Sequence, residues 1–394
     1  MLISPHAKKF AALGSALVAT SLLAPANTLL NDPADSTLTP PLPVDTATDA
    51  LQNVVSKLAI TIYGFLKVDA AYSTSRIDNP NFAKWVDVGG ESGKSFGITA
   101  RQSRLGMKIA GPEENGISTF GRIEVDFYGS AAAENKAALM LRHAYLKIDR
   151  AESDTSLILG QTSDVISPLY MPTVNYTVGW WIGNVGYRHN QVRLSQGIAT
   201  GDTSKLLVQV AATRAIGGEN SGRPGIQGRM AYSFDGLADK TTTIGLSAHS
   251  AREASTTDSN SICVDLTLPI TQDISLQAEY FDGENLDNYL GGIGQGVNAA
   301  GKEIETSGYW AALTWKANPT WTLNAGYAME EPEFDNLDAL SGVRKDNSVL
   351  FGNVNYGLNN ATTLGFEVAR HETGYVVDAD QAGTRFQLAA TFKF

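Results

Sequence analysis

From Ala59 to Phe394 the chain alternates apolar and polar positions with a period of two, the pattern of strands whose two faces meet different surroundings. The last eleven residues show it plainly. Phe386, Leu388, Ala390, Phe392 and Phe394 share one face, and Arg385, Gln387, Ala389, Thr391 and Lys393 share the other. Val264, Leu266 and Leu268 likewise oppose Cys263, Asp265 and Thr267, and Trp321, Leu323, Ala325 and Tyr327 oppose Thr322, Asn324 and Gly326. A terminal strand with no proline or charged tail to blunt it is an aggregation hazard unless it is paired. The expected partner is the first strand of the same chain, which would close the sheet on itself; the alternative is the last strand of a soluble sandwich.

The pattern predicts strands over Ala59–Ser73, Arg101–Ile109, Ile117–Tyr128, Ala138–Asp149, Thr155–Gln161, Arg188–Gln196, Ser204–Ile216, Ile226–Phe234, Thr241–Ser250, Asn260–Leu268, Asp273–Phe281, Glu305–Lys316, Thr320–Met329, Lys345–Tyr356, Ala361–His371 and Thr384–Phe394. That makes about 16, an even number as expected of a bacterial barrel. Short turns such as Pro269–Gln272 and Ala317–Pro319 alternate with longer connections at Thr74–Ala100, Thr162–Tyr187, Asp282–Ile304, Glu330–Arg344 and Glu372–Gly383. A transmembrane barrel predicts this, with short turns on one side of the membrane and long loops on the other. The fold class expected is therefore all-β: a transmembrane antiparallel β-barrel over 59–394, its apolar face towards lipid and its polar face lining water. Trp315, Trp321, Tyr327, Tyr356, Phe392 and Phe394 fall near strand ends, where amphipathic rings favour the membrane interface.

Composition agrees with strands rather than helices. Mean hydropathy is −0.12, and beyond the N-terminus no run reaches the ~20 apolar residues that a membrane helix needs. At the N-terminus, His6, Lys8 and Lys9 precede the apolar stretch Phe10–Leu23 and the small residues Ala24-Pro25-Ala26, which reads as an export signal over 1–26. The competing reading, a membrane anchor, suits the short run less well. Residues 27–58 form a linker with Pro33, Pro40, Pro41 and Pro43, followed by Leu51, Val54, Val55 and Leu58 at the spacing of a short helix or an amphipathic turn. A single cysteine, Cys263, allows no internal disulfide and no cysteine-based metal cluster. The net charge of −11 argues against a nucleic-acid partner. No cofactor or metal is expected.

Three segments resemble trimeric bacterial porins: Ser103-Arg104-Leu105-Gly106-Met107-Lys108, Leu141-Arg142-His143-Ala144-Tyr145-Leu146 with Leu159-Gly160-Gln161, and Tyr187-Arg188-His189-Asn190-Gln191-Val192-Arg193. Met107 stands where general porins carry an aromatic residue. Asn347–Arg370, with the core NVNYGLNNATTLGFEV, and the helix-like lead before the first strand are most similar to the DcaP-like subgroup. The resemblance implies an outer-membrane location, a homotrimer, and passive passage of small hydrophilic, often anionic, solutes. It also implies a third loop folded into the barrel, lipid and lipopolysaccharide around it, and recognition of the Phe394 strand by the barrel assembly machinery.

Thr162–Tyr187 occupies the place of that third loop. It holds Pro168, Tyr170, Met171, Pro172, Tyr176, Trp180, Trp181 and Ile182, too apolar for a freely solvated loop, so it folds inward or packs on a neighbouring subunit. Arg104 and Lys108 share the polar face of one strand, and Arg122 shares a face with Glu124 and Asp126. Arg142, Arg188 and Arg193 match positions that in porins carry or adjoin the basic side of the constriction. Strict alternation puts Arg188 on the side of Val192, so a bulge or a loop ending there is required. Asp164 is the only acid between Thr162 and Tyr187. A basic wall facing a loop poor in acids implies a preference for anions such as small carboxylates. Pairing of the arginines with Glu124, Asp126 and other acids would instead leave no selectivity.

The remaining acids gather in expected outer loops: Asp282, Glu284 and Asp287; Glu330, Glu331, Glu333, Asp335 and Asp338; Asp378 and Asp380. They keep the loops solvated or bind divalent cations with lipopolysaccharide. A barrel enzyme or adhesin is the competing function. His143, His189, His249 and His371 lie in no recognisable nucleophile motif, so no catalytic residue is assigned.

Overall fold

The computed structural model describes residues 58–77, 82–129, 133–216, 222–253 and 257–394. The export signal, the proline-rich linker and the helical stripe up to residue 57 lie outside them. Seventeen strands form one antiparallel sheet: β1 (Ala59–Ser73), β2 (Ser95–Thr99), β3 (Arg104–Glu114), β4 (Ile117–Asp126), β5 (Met140–Arg150), β6 (Thr155–Ser163), β7 (Arg188–Ala199), β8 (Lys205–Thr213), β9 (Gly225–Asp235), β10 (Thr241–Glu253), β11 (Thr257–Pro269), β12 (Ile274–Glu284), β13 (Glu305–Lys316), β14 (Trp321–Pro332), β15 (Arg344–Gly357), β16 (Thr362–Tyr375) and β17 (Gln381–Lys393). β1 pairs with β3 on one side and β17 on the other, so sixteen strands close a ring.

The short β2 is additional to the sixteen. It pairs with β1 from Asp69 to Ser73, beyond the stretch of β1 that β3 covers. The strand expected over Arg101–Ile109 therefore starts at Arg104, with a break before it. In that break Ser103 substitutes for the ladder: the Lys67 N–H donates to Ser103 Oγ at 3.0 Å, and Oγ donates back to the Lys67 carbonyl at 3.3 Å. A side chain can satisfy a strand backbone this way at a bulge, which period-two counting cannot show.

The ring closes on the terminal residue. Gly64 N–H bonds the Phe394 carbonyl at 3.0 Å and Phe394 N–H bonds the Gly64 carbonyl at 3.1 Å. A Cβ on Gly64 would stand 2.2 Å from the Arg104 carbonyl oxygen, so the seam needs glycine there.

At one end the connections are short turns, at 115–116, 151–154, 200–204, 236–240, 270–273, 317–320 and 358–361. At the other they are mostly longer, at 74–94, 127–139, 164–187, 214–224, 285–304 and 333–343. The long loop expected over Glu372–Gly383 is only 376–380, because β16 and β17 run on to Tyr375 and from Gln381. Polar residues such as Thr373 and Gln381 remain paired there because they face inward.

Outside, apolar side chains are exposed along strand after strand: Ile62, Leu66, Leu105, Val192, Leu194, Val210, Leu350 and Leu388. In water this would be untenable; against lipid it is what a barrel requires. The inner face is not uniformly polar, as alternation alone had implied. Trp310 and Ala312 of β13, Ala328 of β14, Val349 and Phe351 of β15 and Ala369 of β16 point inward and are buried with Leu169, Met171 and Ile182 of the 164–187 loop.

Candidate constriction site

The 164–187 segment folds into the barrel, and its own composition explains why. Its apolar side chains find the apolar inner wall of β13–β16, while Ile166 and Val185 join Phe281, Leu286 and Tyr289 in a second buried cluster. The loop backbone reaches the wall itself, since a Cβ on Gly183 would lie 2.3 Å from the Tyr309 carbonyl oxygen. A loop buried this deeply needs partners for its N–H groups. Three wall glutamates supply them. Glu279 accepts from the Leu169 N–H at 2.8 Å and the Ser167 hydroxyl at 3.1 Å. Glu367 accepts from Val174 N–H at 2.6 Å and Asn175 N–H at 3.2 Å. Glu330 accepts from Gly183 N–H at 3.0 Å and Ile293 N–H at 3.1 Å.

Glu330 is thus fully buried, not a solvating outer-loop acid as the sequence suggested. It also ties in a second inward segment, the 285–304 loop, whose Leu290 and Tyr289 carbonyls accept Trp181 N–H and Gly186 N–H at 2.8 Å each. Sequence reasoning missed this loop and all three anchoring glutamates. Leu286, Tyr289 and Ile293, apolar side chains within a nominal outer loop, were the available signal.

Facing the inward loop, β3, β4 and β5 bring the arginines together. Glu124, with no exposed surface, holds three of them: Arg104 at 3.3 Å, Arg122 at 2.8 Å and Arg142 at 2.7 Å. Arg142 also meets Asp126 at 2.7 Å. Tyr63 donates to Glu124 at 2.8 Å and accepts from Arg122 at 2.7 Å, and the Lys108 ammonium stands 5.1 Å over its ring. The arginines are therefore paired, as the less selective sequence reading required. Among the described residues, three guanidinium groups nevertheless stand against the two carboxylates of Glu124 and Asp126.

The loop contributes Tyr176, whose hydroxyl donates to Asp126 at 2.7 Å and accepts from Arg142. Burial raises its hydroxyl above the ordinary tyrosine value, against the pull of Arg142 and Arg188. Tyr170 lies farther along, with its hydroxyl 3.3 Å from that of Ser163.

Asp164 does not face this basic wall. It braces the loop root, taking His189 Nδ1 at 2.7 Å, Gln227 Nε2 at 2.9 Å and Tyr187 N–H at 2.8 Å. Arg193 donates to the Ser163 carbonyl at 2.9 Å. Arg188 opens β7 and is turned inward by the incoming loop, between the rings of Tyr187 and Trp180 at 4.3 and 5.7 Å. This is the loop ending that its place in the alternation called for.

A closed sixteen-stranded barrel with an apolar exterior and an inward loop opposite paired arginines defines a membrane channel of the porin class. A family profile described as DcaP outer membrane protein matches residues 45–262, more than half the sequence, and the chain belongs to that family. The match takes in Leu51, Val54, Val55 and Leu58 ahead of the first strand and stops short of Asn347–Arg370, the late segment of the sequence resemblance.

Solved structures agree on the fold. The outer membrane channel DcaP of Acinetobacter baumannii is 21% identical with a TM-score of 0.70, over 86% of this chain and 99% of that one. An anion-selective porin from Comamonas acidovorans is 15% identical with a TM-score of 0.59, over 86% of this chain and all of that one. OmpT of Vibrio cholerae in a trimer form is 13% identical with a TM-score of 0.54, over 86% and 100%. No curated protein sequence matches the chain. Family and fold make the protein an outer-membrane channel.

Proposed function

We propose that the channel passes small hydrophilic solutes by diffusion and favours anions such as small carboxylates. The carrying observation is the charge balance beside the inward loop. Among the described residues Arg104, Arg122 and Arg142 outnumber the carboxylates of Glu124 and Asp126 that they meet, and Asp164 is engaged at the loop root. Guanidinium groups suit carboxylates geometrically, and low-dielectric walls concentrate the surplus field on a passing solute. Arg104, Lys108, Arg122, Arg142, Arg193 and Tyr176 form the constriction in this reading, with Tyr170, Arg188 and Asp164 shaping the loop. The anion-selective Comamonas porin shares the fold.

A homotrimer in the outer membrane is part of the proposal, set among lipid and lipopolysaccharide, with Phe394 as the signal to the assembly machinery and residues 1–26 as an export signal. The belt rings Trp315, Trp321, Tyr356 and Phe392 lie on β13–β17, while the outward positions of β3–β8 carry residues such as Leu105, Ile123, Leu146 and Val210. A face without interfacial rings suits contact with a neighbouring copy. Liposome-swelling rates test the function: a small carboxylate should enter faster than an amine of equal size. Equal rates, or the reverse order, would refute the preference.

A further inference from the structure

On the side of the inward loop that leads into β7, three buried nitrogen donors have no hydrogen-bond partner. Arg188 is 3% exposed, yet its Nε and Nη2 have no hydrogen-bond partner, and among the described residues no carboxylate pairs with it. Trp180, equally buried, carries an indole Nε1–H in the same condition. The two side chains are neighbours, with the guanidinium carbon 5.7 Å from the Trp180 ring centroid.

The acids of the loop root and of the facing wall bond other groups. Asp164 already accepts from His189, Gln227 and Tyr187, and Asp126 from Arg142 and Tyr176. A buried cation without a counter-charge is costly, and so is each buried N–H without an acceptor. A water molecule would not resolve this, because it offers two lone pairs and no charge to a cation and three donor nitrogens.

We infer that a compact anion of halide size is resident between the Arg188 guanidinium and the Trp180 indole N–H. Its place gives it a structural role. Tyr187, stacked on Arg188, is also the residue whose backbone closes the loop, through Asp164 N–H to its carbonyl at 3.0 Å and its own N–H to Asp164 at 2.8 Å. An anion there fixes Arg188 and Trp180 together and so pins the part of the loop that leads into β7. Enclosure at 3% exposure makes it a bound ligand rather than a solute in transit, and the site stands whether or not the channel prefers anions.

The test is a crystal of the full chain grown or soaked in sodium bromide, together with melting temperatures in sodium chloride and sodium gluconate at equal ionic strength. An anomalous bromide peak should lie within hydrogen-bonding distance of Arg188 Nη2. Chloride should raise the melting temperature relative to gluconate, and Arg188→Gln should abolish the difference. Trp180→Phe keeps the ring and the arginine charge; it should reduce the chloride effect while leaving bilayer reversal potentials unchanged, which separates this site from the transport reading. No bromide peak, or a chloride effect of the same size in both variants, would overturn the inference.

Discussion

Glu367 on the barrel wall accepts the backbone N–H of Val174, at the far reach of the inward loop, over 2.6 Å. The same wall grips that point from the closing seam, since Lys67 of β1 donates to the Val174 carbonyl at 2.9 Å and Gln387 of β17 reaches it at 3.3 Å. The loop's position is thus set by the strands that complete the ring.

Removing an anchor should loosen the loop. Glu367→Ala leaves the N–H groups of Val174 and Asn175 without their acceptor, a penalty of roughly 1–3 kcal/mol for each buried group. Single-channel recordings should then show a larger mean conductance and greater open-channel noise than wild type. Unchanged conductance in both Glu367→Ala and Glu279→Ala would mean that the loop does not limit the current.

Glu124→Gln removes one negative charge from the wall, and with it the carboxylate that holds Arg104, Arg122 and Arg142 together. Buried pairs broken on one side typically cost about 3–5 kcal/mol. Urea unfolding should show a loss of that order. A variant as stable as wild type would indicate that the arginines do not depend on Glu124.

Asp164 gives a pH dependence. Burial by itself would raise its carboxyl, but His189 together with hydrogen bonds from Gln227 and the Tyr187 N–H holds it below the usual carboxylate value. A carboxyl depressed in the folded state stabilises fully above its unfolded value of about 3.9, and that contribution is lost as pH falls through the folded value. Lowering the pH from about 5 to about 3 should therefore destabilise the wild type more than Asp164→Asn, by thermal unfolding. Equal losses would contradict the brace.

Gly64→Val should block closure, because its Cβ would meet the Arg104 carbonyl at 2.2 Å within the seam that ends on Phe394. The folded, heat-modifiable band on a gel should disappear. A normal band would show that the seam tolerates the side chain.

The lipid side of the fold was legible in the sequence because lipid imposes one rule on every outward position, so Leu388 and Phe386 could be placed by counting in twos. The interior obeys no such rule. Whether Trp310 or Phe351 meets water or a loop depends on contacts far apart in the chain, and alternation reads both as misplaced. Arg104 and Arg122 are read from the faces they share and Arg142 from its motif, whereas nothing in the pattern singles out Glu279 or Glu367, and Glu330 reads as a loop acid. Their role appears only once the loop N–H groups they accept from are known. Asp164 was legible as the loop's single acid, but its direction, towards His189 and away from the arginines, was not.

The central claim is that the surplus of arginine over carboxylate beside the inward loop selects anions. Reversal potential across a planar bilayer under a potassium chloride gradient measures it most directly. The sign should report chloride as the more permeant ion, and Arg104→Ser, which removes one guanidinium while leaving Glu124 paired to Arg122 and Arg142, should move the potential towards zero. A wild-type potential at zero or of cation-selective sign would contradict the account.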